Sequence, residues 1–426
     1  MLRKLQSATW VAILGRMVLV TLMLSVMSAS LLAENRPAHK PKYTVLHKFT
    51  GGDDGGLPIG SLVRDASGNL YGTTVAGGSF DYGTVFKIQP SGKEIVLHNF
   101  AGADGMWPEG PLLLDQSGDL YGTTTIGGTA EGGNCHFGCG TVFKIDAAGK
   151  YTVLYAFTGG ADGGDPETSL ILDSEGNVYG TTAGGGHQGG LACVYGSYGG
   201  CGVVFKLDQH GRETVLYAFS GEADGAGPSS GLVRDRRGNL YGTTYFAGSA
   251  GYFGTVFKVD SSGTETVLYN FTDGTDGAGP KGTLVRDEAG NLYGVTDRGG
   301  DDSIQQCTSG SWYGCGVVFK VDSRGNESVL YTFTDGSEGI FPNGGLLRGH
   351  DGELYGTTPG WPGGNLFKLG ADGKFYLLHT FEEQTGYDPE SGVITDGAGN
   401  LYGTTYGGAR AKCGNYGCGV VYKWEP

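Results

Sequence analysis

Apolar and polar residues alternate in short runs along most of this chain, and the runs are punctuated by glycine and aspartate. The first unit shows them in order: "SLVRD" at 61–65, "NLYGTT" at 69–74, "GTVFKI" at 83–88 and "EIVLHNF" at 94–100. Period-two runs rich in Val, Leu, Tyr, Phe and Thr, bounded by turn residues, predict strands, and no helical period competes with them. The second run recurs around Tyr71, Tyr121, Tyr179, Tyr241, Tyr293, Tyr355 and Tyr402, at intervals of 47 to 62 residues. Seven units of four antiparallel strands predict an all-β fold, a seven-bladed propeller. The last unit stops after its third strand, in "GVVYKWEP" (419–426), while an orphan fourth strand, "YTVLHKF" (43–49), precedes the first. Pairing these two ends completes the last blade and closes the ring, which hides the sheet edges of an open array.

The expected organisation is a single propeller domain over residues 43–426, preceded by a short linker at 34–42 and a signal peptide at 1–33. The signal reading rests on Arg3 and Lys4, the apolar run from Met17, and the small residues Ser28, Ser30 and Ala33. That address is exported, either periplasmic or extracellular, with no stable membrane insertion after cleavage. Loss of Arg3, Lys4 and Arg16 with the signal changes the formal charge from −15 to −18. Nucleic acid and anionic lipid are thereby disfavoured as partners, and a monomer is expected.

The turns after the first and third strands are short and uniform, as in "DASGN" and "DAAGK". Variable insertions fall between the second and third strands, on the side that also carries the connections between blades, and gathering on one face is typical of a binding face. All eight cysteines lie there in four local pairs: Cys135 with Cys139, Cys193 with Cys201, Cys307 with Cys315, and Cys413 with Cys418. Pairs confined to single loops of an exported chain predict four disulfides rather than a zinc site. Each connection carries a phrase such as "FTGGDDGGLP" or "FSGEADGAGP". Calcium is conceivable at Asp54, Asp104, Asp162, Asp224 and Asp276, but one carboxylate per loop is thin coordination, and an Asp-Gly turn closed by proline is the expectation. No metal or cofactor is assigned.

Small residues ("GSL", "GPL", "TSL") open each innermost strand, so a central metal cage has little to be built from. Just before them, after the proline, the series reads Ile59, Glu109, Glu167, Ser229, Lys281, Asn343 and Glu390. Glu109, Glu167, Lys281 and Glu390 are the candidates for a polar site at the channel mouth. No Ser/His/Asp set or His/Glu pair of usable spacing stands out, so no catalytic residue is assigned. The insertions are rich in aromatics, including Tyr82, Phe137, Tyr245, Phe246 and Tyr252. Trp107, Trp312, Tyr313 and Trp361 are the best placed to meet the apolar face of a sugar or an extended polymer.

Taken together, "GNLYGTT", "GTVFK", "ETVLYAFTGG" and "DGAGP" closely resemble the tandem-repeat family called GloVer, over about residues 43 to 426. The resemblance implies an exported envelope or extracellular repeat protein and supplies no catalytic residues. The chain departs from tailed members in ending directly after "VVYKW". The leading expectation is a secreted binding module that recognises a glycan, a peptide or an envelope polymer through the loop-rich face. The alternatives are a lyase- or lactonase-type propeller enzyme and a structural envelope component.

Overall fold

The computed structural model describes residues 40–426 apart from 130–134, 188–192, 194–198, 302–306, 308–313, 335–336, 361–362, 409–412 and 414–416. Tyr43–Trp424 form one compact unit. Within it seven four-stranded antiparallel sheets follow one another as the blades of a propeller. Blade 1 consists of Val63–Arg64, Leu70–Thr74, Thr84–Ile88 and Glu94–Asn99. In blade 7 the fourth place is taken by Lys42–Lys48, paired with Val420–Glu425, so the N-terminal strand closes the ring.

The third strand of each blade is buried along nearly its whole length, because both faces of the sheet are covered by neighbouring blades. At every junction the phenylalanine that ends a fourth strand meets, edge on, a ring from the next blade's third strand. The seven pairs are Phe49–Phe86, Phe100–Phe143, Phe157–Phe205, Phe219–Phe257, Phe271–Phe319, Phe333–Phe367 and Phe381–Tyr422, with centroids 5.0–5.5 Å apart. The core is thus a chain of interblade clusters with edge-to-face aromatic contacts. This packing explains the glycine of "LYGTT": a Cβ at Gly72 or Gly180 would stand 2.6 or 2.7 Å from the Cζ of Phe86 or Phe205.

In six of the seven blades the turn after the first strand carries an aspartate that holds it. Asp173 accepts from the Glu175 and Asn177 amides, from Asn177 Nδ2 and from the Tyr179 hydroxyl, all at 2.8–2.9 Å. The repeated tyrosine therefore anchors a turn, and in four blades arginine from the following blade covers its ring, as Arg234 covers Tyr179 at 5.7 Å. The second threonine of the phrase caps the second strand, with Thr74 Oγ1 2.9 Å from Thr84 Oγ1. First strands are shorter than the sequence suggests, with two residues in six blades, because the chain first descends the channel wall and only then aligns with the second strand. Blade 5 departs from this with a nine-residue first strand, Ala278–Arg286.

All four disulfides are formed in the predicted pairs, over sequence separations of 4, 8, 8 and 5 residues. Among the described residues, no helix is long and apolar enough to cross a membrane. The signal and most of the linker lie outside the described residues.

Candidate functional site

The connections that enter the blades build the site. In five of the seven, an aspartate (Asp54, Asp104, Asp162, Asp224 or Asp276) ties the loop to the end of the preceding fourth strand. Asp162 accepts from the Thr158 amide and hydroxyl and, at 3.0 Å, from the Tyr155 hydroxyl. Asp224 and Asp276 repeat this with Tyr217 and Tyr269, while His98 takes the tyrosine's place beside Asp104 at 2.8 Å. Both oxygens of these carboxylates are engaged by the turn, so their place in the repeat follows from the loop they close. His47 stands likewise beside Asp54 at 3.4 Å, whereas His379 stacks on Tyr43, and burial lowers the pKa of His98 despite Asp104.

Next comes the residue before the proline. Its N–H reaches across to a carbonyl of the preceding blade in all seven connections, as in Leu57 to Cys418, Trp107 to Tyr82 and Asp165 to Cys139, at 2.8–3.1 Å. To do so it adopts a left-handed backbone: φ is 59° at Leu57, 55° at Trp107, 62° at Asp165, 56° at Phe341 and 59° at Asp388, with glycine at 227 and 279. Such conformations cost about 1–3 kcal/mol each for a residue with a Cβ, and here the cross-blade hydrogen bond and the ring closure impose them. Trp107 is therefore one member of a seven-fold structural series, and the residue is 46% exposed.

Immediately after the proline the chain turns into the channel. Ile59, Glu109, Glu167, Ser229, Lys281, Asn343 and Glu390 all line one cavity of about 250 Å³ at its mouth. The small residues below them are required by crowding: a Cβ at Gly231 would overlap the Ser169 and Thr283 hydroxyls, and one at Gly392 would meet the Gly345 carbonyl at 2.5 Å. The first threonine of "YGTT" stitches the blades there. Thr181 donates to the Ser230 carbonyl at 3.2 Å, and Thr357 to that of Ser391 at 2.7 Å.

Four of the candidate residues are thus brought together. Burial, then Asp165, Glu109 and the opposing Lys281, set Glu167, whose pKa is pushed up to about 8. Glu109 is raised to about 7 by burial, Asp165 and Glu390. Glu390 is raised to about 7 by burial and Asp388, against the pull of Lys281. The side chains are recessed but still reached by solvent through the mouth. Near neutral pH this cup holds carboxyls that donate hydrogen bonds beside carboxylates that accept them.

Sequence reasoning missed the groups that tune the cup. Asp165 and Asp388 occupy the pre-proline position, where the sequence looks like a variable spacer. On the blade 5 side, Lys281 Nζ lies 3.8 Å from Asp297, which also accepts from the Tyr245 hydroxyl at 2.6 Å and from Arg298 Nε at 3.1 Å. The Arg298 guanidinium lies over the Tyr245 ring at 4.9 Å. Tyr245 and Phe246, expected as exposed loop aromatics, are instead half-buried, Tyr245 in this ionic cluster and Phe246 against the core. The signal was available: only this blade writes "LYGVTDR" where the others write "YGTT".

On the rim, Phe80, Tyr82, Trp107, Phe137 and Tyr252 are exposed. The Trp107 amide is bonded to the Tyr82 carbonyl, and Trp107 stands two residues before Glu109. Trp312, Tyr313 and Trp361 lie outside the described residues.

A comparison with protein families places the repeat. Residues 34–194 match the Gloeobacter/Verrucomicrobia repeat family. The Gloeobacter/Verrucomicrobia repeat as matched spans blades 1 and 2 and the opening strands of blade 3, and blades 4 to 7 continue the same phrases. No curated protein matches the chain. Among solved structures it is similar to a Bacteroides uniformis protein provisionally named a 6-phosphogluconolactonase, with 17% identity, TM-score 0.50, and coverage of 80% of this chain and 88% of that one. It is also similar to a Lactobacillus plantarum protein, with 16% identity, TM-score 0.50, and coverage of 79% and 88%. At these identities the likeness shows the propeller fold that the repeat builds here.

Proposed function

We propose that this protein is an exported recognition propeller that takes a glycan across its loop-rich face. The observation that carries the reading is the convergence of seven post-proline side chains in one recessed cup, with the exposed Trp107 ring two residues from Glu109. An aromatic plane offers the apolar face of a sugar ring a flat partner, while mixed carboxyl and carboxylate groups serve its hydroxyls. Four disulfides on that face and the N-terminal signal pattern support an oxidising compartment outside the cytoplasm. The test is a glycan and cell-wall polymer array probed with the oxidised protein, with Trp107→Ala and the pair Glu109→Gln and Glu167→Gln as controls. Retained binding in both variants, or no binding by the parent, would remove this reading in favour of a structural role.

A second reading, turnover of the lactonase or lyase kind, is favoured by one observation: carboxyls titrating near neutral pH beside Lys281 suit general acid–base work. The name of the Bacteroides uniformis propeller suggests the first assay, lactone hydrolysis. Activity that disappears in Glu167→Gln would establish it; no hydrolysis in the parent protein would end it.

A further inference from the structure

We infer a second binding site, for an anionic polymer, in the groove between blades 4 and 5 on the turn face, away from the channel mouth. The groove has a volume of about 790 Å³ and gathers Arg234, Arg236, Arg237, Lys258 and Arg286. Three carboxylates share it, but two are already committed. Asp235 accepts from the Arg237 and Asn239 amides, Asn239 Nδ2 and the Tyr241 hydroxyl at 2.8–3.1 Å. Asp287 accepts from the Asn291 amide and side chain and from Tyr293 at 2.7–3.0 Å. Glu288 is exposed. Among the described residues, none of the five cations stands within ion-pair distance of a carboxylate.

The repeat shows that this charge is a local choice. The two residues after the turn aspartate are Ala66-Ser67 in blade 1, Gln116-Ser117 in blade 2, Ser174-Glu175 in blade 3 and Glu288-Ala289 in blade 5; only blade 4 has Arg236-Arg237. The turn needs neither arginine, since its hydrogen bonds to Asp235 come from backbone, Asn239 and Tyr241. Arg286 is held over the Tyr241 ring at 5.5 Å, which fixes one guanidinium at the groove wall. On a chain whose formal charge is −15, five cations against three carboxylates leave this groove a net positive charge, a locus where a polyanion would meet attraction. Guanidinium groups match carboxylate and phosphate oxygens in pairs, and several in one groove favour a ligand with repeated charges over a single ion. The ligand class is a polymer bearing carboxylates or phosphates, with an acidic polysaccharide as the type case.

The test transplants the turn of blade 1, as Arg236→Ala with Arg237→Ser, into the full mature protein. Near-UV circular dichroism checks that the fold is kept. Binding is then measured against polygalacturonate, inorganic polyphosphate, neutral dextran and duplex DNA over a range of salt concentrations. The parent protein is expected to bind polygalacturonate or polyphosphate, which separates the carboxylate from the phosphate source, and to ignore dextran. The variant should bind at least about ten-fold more weakly, with the slope of log affinity against log salt reduced by about two, one per cation removed. No binding of either polyanion, equal binding by parent and variant, or a preference for DNA over both would overturn the inference.

Discussion

Two sets of carboxylates in this molecule start from the same chemistry and end in opposite states. The turn aspartates, Asp65, Asp173, Asp235, Asp287 and Asp396, have lowered pKa values although partial burial works the other way, because amides, an asparagine and a tyrosine all donate to them. The channel-mouth glutamates have raised values, because they are buried among other carboxylates with Lys281 as the cation in reach. The difference teaches that what converges on a carboxylate decides its role. A turn that supplies donors makes it structural; a ring that supplies like charges leaves it titrating near neutral pH, at a cost in stability.

Removing one turn aspartate should break the comparison most strongly. Asp173→Ala leaves two amides, an asparagine side chain and a tyrosine hydroxyl without their acceptor. The turn is partly solvated, so the expected loss is about 1–2 kcal/mol, read as a lower denaturation midpoint. It should also be pH-dependent. A depressed folded pKa contributes stability above the unfolded value of 3.8 that is lost as pH falls through the folded value. The variant should therefore differ most from the parent at neutral pH and approach it in acid.

Glu167→Gln should show the opposite sign. Between the unfolded value of 4.5 and the folded value of about 8, the native state binds more protons than the unfolded chain, so this group's contribution falls as pH rises through that window. The variant, uncharged at all pH values, should melt close to the parent near pH 4.5 and above it at pH 8. A parent whose melting temperature is flat from pH 5 to 8 would contradict the assigned environment of the cup. Binding at the cup should be tested at both ends of that range, since the ratio of donors to acceptors changes across it.

The strand plan was legible in the sequence because every blade restates it: "NLYGTT" carries a turn anchor, a glycine under a ring and two threonines with fixed partners. The closing strand could be read for the same reason, with 43–49 expected and Lys42–Lys48 observed. The cup was legible only as a list of positions. That Glu109, Glu167, Lys281 and Glu390 face one another depends on ring closure and on the left-handed residue before each proline, a conformation that sterics oppose and that no local propensity announces. In the tuning of the cup, Asp165 and Asp388 act from two residues before Glu167 and Glu390, Asp165 acts also on Glu109 of the preceding connection, and Asp297 meets Lys281 across the first two strands of blade 5, proximities that the order of residues alone does not reveal. Only the anomaly "VTDR" pointed toward part of it.

Blade 6 offers the smallest effect and the sharpest form of the comparison, because there the turn aspartate is already missing. Gly349 stands in its place, and the Tyr355 hydroxyl turns instead to Glu353 at 3.3 Å, leaving the other Glu353 oxygen buried without a partner. Burial and then Glu353 raise the Tyr355 pKa, so this turn shares the like-charge character of the channel mouth more than the donor-rich character of its siblings. Restoring only the aspartate should fail: a Cβ at Gly349 would lie 2.7 Å from the Glu353 carboxyl carbon, and two carboxylates would be forced together. Replacing both, Gly349→Asp with Glu353→Asn, recreates the Asp-Asn-Tyr set of the other blades and should stabilise the fold by about 0.5–1 kcal/mol. The single variant should be less stable than the parent and the double more stable, a change of sign that a denaturant midpoint series resolves. If both variants stabilise equally, donor supply is not what separates the two sets of carboxylates.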